Sequence, residues 1–246
     1  MIGSAFPNHE MPDAGQEENV PRRKTGGLGV IRRLLTRQDF GYAFLVAAML
    51  SAAVYLMALA PERVAVHWGI DGQPDGWGSP APAFLILPVL SVFLWLLLLA
   101  APVLDRFREN LVAAKETYGE IRFALAVFFG VMQATIMAAA FRPDWPVART
   151  ILVLLAGLFW ELARVLPRLP RNETAGIRLL WTLASDEIWR ETHRQAAAAF
   201  RLAAYAVAAA VFLPPALGFA VTMAAVLAAV VWSVAVAWRI SRSRNE

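Results

Sequence analysis

The sequence has no cysteine in its 246 residues. That excludes disulfides, thiolate metal sites and a cysteine nucleophile. It has only three histidines, His9, His67 and His193. Neither a His-Glu-x-x-His helix, a nucleophile elbow nor a phosphate-binding glycine loop occurs, so nothing points to an enzyme. Charge is also scarce: 17% of residues are charged, against about 25% in a soluble domain. The deficit is filled by apolar residues, which make up 59% of the chain and give a mean hydropathy of +0.52.

The apolar residues fall in blocks of roughly 17–22, the length a helix needs to cross hydrocarbon; a β-barrel would show short alternating segments instead. Six blocks are read as spans: 42–60, 82–104, 123–141, 150–165, 196–213 and 217–238. The fold class expected is all-α, a polytopic transmembrane helical bundle of about six spans in a lipid bilayer. Residues 1–40 are polar and basic and are expected to be a disordered cytoplasmic N-terminus. The first apolar block begins too late and is too long for a cleaved signal peptide.

Lys and Arg alternate around the spans. They are dense before the first (Arg22, Arg23, Lys24, Arg32, Arg33, Arg37), between the second and third, between the fourth and fifth, and in the tail (Arg239, Arg242, Arg244). The loop after the first span has only Arg63. The positive-inside rule then places both termini in the cytoplasm and residues 61–79 outside. The same rule accounts for a net charge of +4 without direct nucleic-acid binding.

Two loops carry chemistry. In the outer one, Asp71-Gly72 and Pro74-Asp75-Gly76 are turn signals. Val64, Val66 and Trp68 alternate with Ala65 and His67, as in a short strand. His67, Trp68, Asp71, Asp75 and Trp77 form either a recognition surface or a compact turn shaped by the aspartates. His67, Asp71 and Asp75 would suit a divalent ion, but no second histidine lies nearby, and neither metal nor cofactor is expected. In the inner loop, 166–195, Ser185 followed by Asp186 and Glu187 starts a helix that sets Trp189 and His193 one turn apart. This amphipathic helix is either a membrane-surface anchor or a docking site. Within the spans, Glu161, Arg164 and Arg201 are the polar groups that need partners, and an ion pair of Glu161 with Arg164 or Arg201 is expected.

The stretch Asn172, Gly176-Ile177-Arg178, Trp181-Thr182-Leu183, Ser185-Asp186-Glu187, Trp189 and Thr192-His193-Arg194 resembles the signature of the SdpI family of bacterial toxin-immunity membrane proteins. It departs from the family pattern at Leu180 and from Ala196 onward. The outer loop, Val66 to Ser79, resembles the small domain of unknown function that often precedes that signature. The resemblance implies a two-span unit over 41–110 with a structured extracytoplasmic loop, followed by a four-span SdpI-like unit over 111–246. It also implies a multi-pass protein of the bacterial inner (plasma) membrane that protects against a secreted membrane-active peptide toxin and signals to a cytoplasmic repressor. The competing class is a transporter-like carrier of small molecules or lipids, which would need internal repeats or broken helices.

Overall fold

The computed structural model describes residues 26–243; His9, Arg22, Arg23, Lys24, Arg244 and the disorder expected over 1–25 lie outside them. Its elements are α1 (Gly27–Leu34), α2 (Arg37–Met57), β1 (Val64–Trp68), β2 (Pro74–Gly78), α3 (Pro80–Ala100), α4 (Arg108–Ala113), α5 (Lys115–Phe141), α6 (Val147–Val165), α7 (Leu180–Ala184), α8 (Asp186–Ala210) and α9 (Pro215–Arg242). The expected disorder does not hold over 27–40. Val30 and Leu34, one turn apart, are fully buried against Leu99, Leu111 and Tyr118, so α1 is a short amphipathic helix stabilised by packing. Thr36 and Asp39 then form a capping box at the start of α2.

Two clusters mark opposite ends of the bundle. Ala53, Val64, Ala83, Phe84, Met137 and Ala140 pack together at the hairpin end. Leu34, Leu99, Leu111, Tyr118, Leu169 and Trp189 pack at the other, called here the signature end. Helix α5 reaches both, through Met137 and Tyr118, which lie about 28 Å apart along a helix at 1.5 Å per residue. Helices α2, α3, α5, α6, α8 and α9 all run between these ends. Five of the six are long and apolar enough to cross a membrane. The exception is α8, which carries the expected fifth span. Its first turns are polar, and its apolar part is mostly alanine, which adds little hydropathy but packs closely. Ala196, Ala197, Ala203, Ala204 and Ala210 are all buried in α8, as expected for small residues at a helix interface.

Pro88 lies inside α3 and cannot donate to the Phe84 carbonyl one turn earlier. Gln133 of α5 supplies the missing donor: its side-chain amide reaches the Phe84 carbonyl at 3.2 Å and the Met49 carbonyl at 2.9 Å. One side chain thereby ties α2, α3 and α5. Thr135 of the same helix donates to the Val131 carbonyl one turn earlier at 2.8 Å.

Candidate functional site

The loop between α2 and α3 is an antiparallel hairpin in which Val64 faces Gly78, Ala65 faces Trp77 and Trp68 faces Pro74. Val64 and Ala65 are buried and anchor it to the bundle. Its tip closes through Gly69 N–H donating to the Gln73 carbonyl at 2.9 Å and Gly72 N–H donating to the Gly69 carbonyl at 2.9 Å. Asp71 accepts from Gln73 N–H at 3.0 Å. Gly72 has φ +78°, and a Cβ there would stand 3.2 Å from Ala148 and 3.4 Å from Pro215. The tip therefore seats against the first residues of α6 and α9. His67 donates from Nδ1 to the Asp75 carboxylate, and Arg63 donates to the Trp77 carbonyl at 3.1 Å.

The geometry brings together His67 and Asp75 and leaves Trp77 half exposed. Among the described residues no group of three His, Asp or Glu side chains is placed to hold an ion. Beneath the tip lies a cavity of about 240 Å³, lined by Trp68, Gly69 and Ile70 from the hairpin and by residues of α6 and α9.

At the signature end the loop folds back on α8. Asn172, fully buried, accepts from Thr174 N–H at 2.9 Å and Ala175 N–H at 2.7 Å and donates to the Pro170 carbonyl at 2.8 Å. Thr182 accepts from Leu179 N–H and donates to the Ile177 carbonyl, each at 2.8 Å. The Trp189 indole donates to the Leu169 carbonyl at 2.8 Å and stacks on His193, ring centroids 4.0 Å apart. His193 donates from Nδ1 to the Trp189 carbonyl at 2.8 Å and accepts at Nε2 from Ile177 N–H at 3.1 Å. An imidazole that accepts a backbone N–H is neutral. Burial pushes its pKa down to about 4, against the pull of the Trp189 carbonyl. Gly176 has φ +111°, and a Cβ there would lie 2.6 Å from His193 Nε2, so the backbone passes directly over the ring.

Trp189 and His193 are therefore core residues rather than the membrane-facing stripe of a surface anchor. The exposed charged side chains of the signature include Arg178, Asp186, Glu187 and Arg194. Arg178 donates to the Glu173 carbonyl at 2.6 Å, and Arg194 pairs with Glu191 at 2.7 Å. Among the described residues, the Trp181 indole N–H and the Thr192 hydroxyl are buried without hydrogen-bond partners.

Glu161 pairs with Arg164 at 2.6 Å, as one of the two expected options. Arg164 also reaches Glu120 of α5 at 2.7 Å, so the pair pins α6 to α5. Arg201 is exposed and forms no ion pair among the described residues. These charges close one end of a cleft of about 370 Å³ whose other walls include Phe123, Val127, Phe128 and Leu154.

The most buried ion pair escaped the sequence reading. Asp39 and Arg122 meet at 2.8 Å with side chains 9% and 1% exposed. Asp39 also accepts from Thr36 N–H at 2.7 Å and from the Trp95 indole at 2.8 Å, while Arg122 donates to the Leu34 carbonyl at 3.0 Å. The pair joins α1, α2, α3 and α5. Both charges flank spans, where Arg122 counts only toward orientation and Asp39 not even that. The Thr36-x-x-Asp39 capping signature was the available clue. Asp105, only 4% exposed, accepts from Glu173 N–H at 2.7 Å and the Thr174 hydroxyl at 2.8 Å, fixing the signature loop to the end of α3.

No curated protein and no solved structure matches the chain. Two segments match family models. Residues 44–92 match the domain of unknown function DUF1648, and residues 168–238 match the SdpI/YfhL protein family. The first holds most of α2, the hairpin and the start of α3; the second holds the signature loop, α7, α8 and most of α9. The chain thus carries a DUF1648 segment followed by an SdpI/YfhL-family segment, the family and the order that its motifs resemble.

Proposed function

We propose that this protein is a receptor-type immunity protein of a bacterial plasma membrane, protecting the cell against a secreted membrane-active peptide. The SdpI/YfhL match supplies the membrane-immunity class. The observation that carries the finer reading is the contact of the hairpin tip with α6 and α9 at Gly72. Through it, an exposed loop of one family segment bears directly on α9 of the other and on α6, which lies between the two segments. A peptide engaging His67, Trp68, Asp71, Asp75 or Trp77 would press on the starts of α6 and α9. Those helices flank α8, which leads to the signature end, where Arg178 and Arg194 are available to a cytoplasmic repressor. The test is survival of cells with and without the gene when challenged with a panel of secreted membrane-active peptides. Protection is expected with the intact chain and should be lost in Trp77→Ala. Equal killing across the whole panel would remove the immunity reading.

The α5–α6 cleft supports a second reading, a transporter-like carrier, because Gln38 and the charged Glu120, Glu161 and Arg164 join a path whose other walls are apolar. Amphiphile flux into vesicles that depends on Glu161 would favour it.

A further inference from the structure

The cavity beneath the hairpin tip has a chemical polarity that the tip alone does not explain. Its walls are apolar: Trp68, Ile70, Ile151, Leu152, Phe219 and Met223. Thr222 also lines it, but its hydroxyl is turned back to the Gly218 carbonyl at 2.8 Å, so it offers a ligand no free donor. At the lip stands Gly69. A Cβ there would lie 2.8 Å from one Asp71 oxygen and 3.3 Å from one Asp75 oxygen. Two carboxylate oxygens thus converge on Gly69, a residue that also lines the apolar slot. Asp71 and Asp75 each spend one oxygen within the hairpin, on Gln73 N–H and on His67, and each retains acceptor capacity.

We propose that this carboxylate pair and the slot that Gly69 lines are one binding site for a peptide segment that places a basic side chain beside a bulky apolar one. The cation sits between Asp71 and Asp75 over Gly69, and the apolar group enters the slot between the hairpin tip, α6 and α9. Charge complementarity selects the occupant. A phospholipid tail would also fill the slot, but its headgroup brings a phosphate toward two carboxylates; a lysine or arginine side chain brings no anion. The proposal rests on the immunity reading for the source of the peptide, and its binding chemistry is tested separately.

The probe is an amphipathic peptide of lysine and leucine, with a glutamate and leucine peptide of the same pattern as its counterpart. Binding to the full chain in nanodiscs is read by fluorescence anisotropy against empty nanodiscs. The lysine peptide is expected to bind and the glutamate peptide to show only background. Asp71→Asn with Asp75→Asn preserves the hairpin's hydrogen bonds and should weaken binding about five- to tenfold, the size of one or two exposed charge pairs. Ile151→Trp, which fills the slot without touching charge, should weaken it comparably. Equal binding of the two peptides, or lysine-peptide binding unchanged in the aspartate variant, overturns the site. Binding unchanged in Ile151→Trp reduces it to bare carboxylates and overturns it as well. If the peptide results hold while cells gain no protection, the immunity reading falls and the site stands. If protection is present and survives both changes, the site falls and that reading stands.

Discussion

Replacing Asp39 with Asn keeps the side chain's shape and removes its charge. Arg122, whose side chain is 1% exposed, then holds a cation in the bundle with no anion. Breaking one side of a buried pair costs about 3–5 kcal/mol, most of it the penalty of the charge left behind. The contacts agree with that range. Arg122 reaches Asp39 through Nη2 at 2.8 Å and Nε at 3.2 Å, and each charge-assisted bond contributes about 1.5–3 kcal/mol. At about 2–4 °C per kcal/mol for a chain of this size, purified Asp39→Asn in detergent should melt about 6–20 °C below the parent. The double variant Asp39→Asn, Arg122→Met separates the causes. With no charge left, stability should largely return, because apolar replacement of a buried pair is often neutral. An unchanged melting curve in the single variant means that the pair is hydrated. A double variant as unstable as the single one means that the loss comes from unmade hydrogen bonds at Trp95 and Thr36.

Gly176→Ala should destabilise by about 2–4 kcal/mol, since it combines a strained positive φ with a clash on the His193 ring; thermal melting and loss of folded yield check it. His193 predicts a pH dependence. Its folded pKa lies below the usual 6.5, so the unfolded chain binds the proton first. The associated stability is full above pH 6.5 and falls as pH drops from there toward about 4, by about 3 kcal/mol in all; His193→Gln should flatten that part of a melting-temperature profile. Gln133→Leu should lower stability by about 1–3 kcal/mol, because it leaves the Phe84 carbonyl beside Pro88 without a donor. Restoring a backbone donor with Pro88→Ala should recover part of that loss.

The bundle was legible because uncharged apolar blocks of span length have few other uses. The hairpin was legible from its Asp-Gly turns and the alternation through Trp68. What escaped depends on distance in sequence. Asp39 and Arg122 are 83 positions apart, and nothing local to either says that they meet. Helix α1 was missed because eight residues hold too little periodicity to stand out from a basic tail. Trp189 and His193 were correctly placed on one face of one helix. Their partners, however, come from the loop at Leu169 and Ile177, which only the folded chain brings back, and so a core face read as a surface one.

The side on which the C-terminus lies turns on α8, the one long helix whose composition falls short of a span. If α8 lay along the membrane surface, α9 would begin at the signature end. The chain does the opposite. Trp189, one turn into α8, packs with Leu34, Leu111 and Leu169 at the signature end, whereas Pro215, the first residue of α9, lies against Gly72 at the hairpin tip. Helix α8 therefore covers the whole distance between the ends. Its 25 residues give about 37 Å at 1.5 Å per residue, more than the about 30 Å of hydrocarbon. Buried alanines between α6 and α9 let it pass closely, so packing against protein can take the place of hydropathy in holding it there. Helix α9 then returns to the signature end, where α1 also packs, and the two ends of the described chain share one side. Reporter fusions at residue 70 and after residue 243 should accordingly report opposite sides of the membrane, with the C-terminal fusion cytoplasmic. Fusions reporting the same side would mean that α8 does not cross, and the contact between Gly72 and Pro215 could not then exist in the membrane.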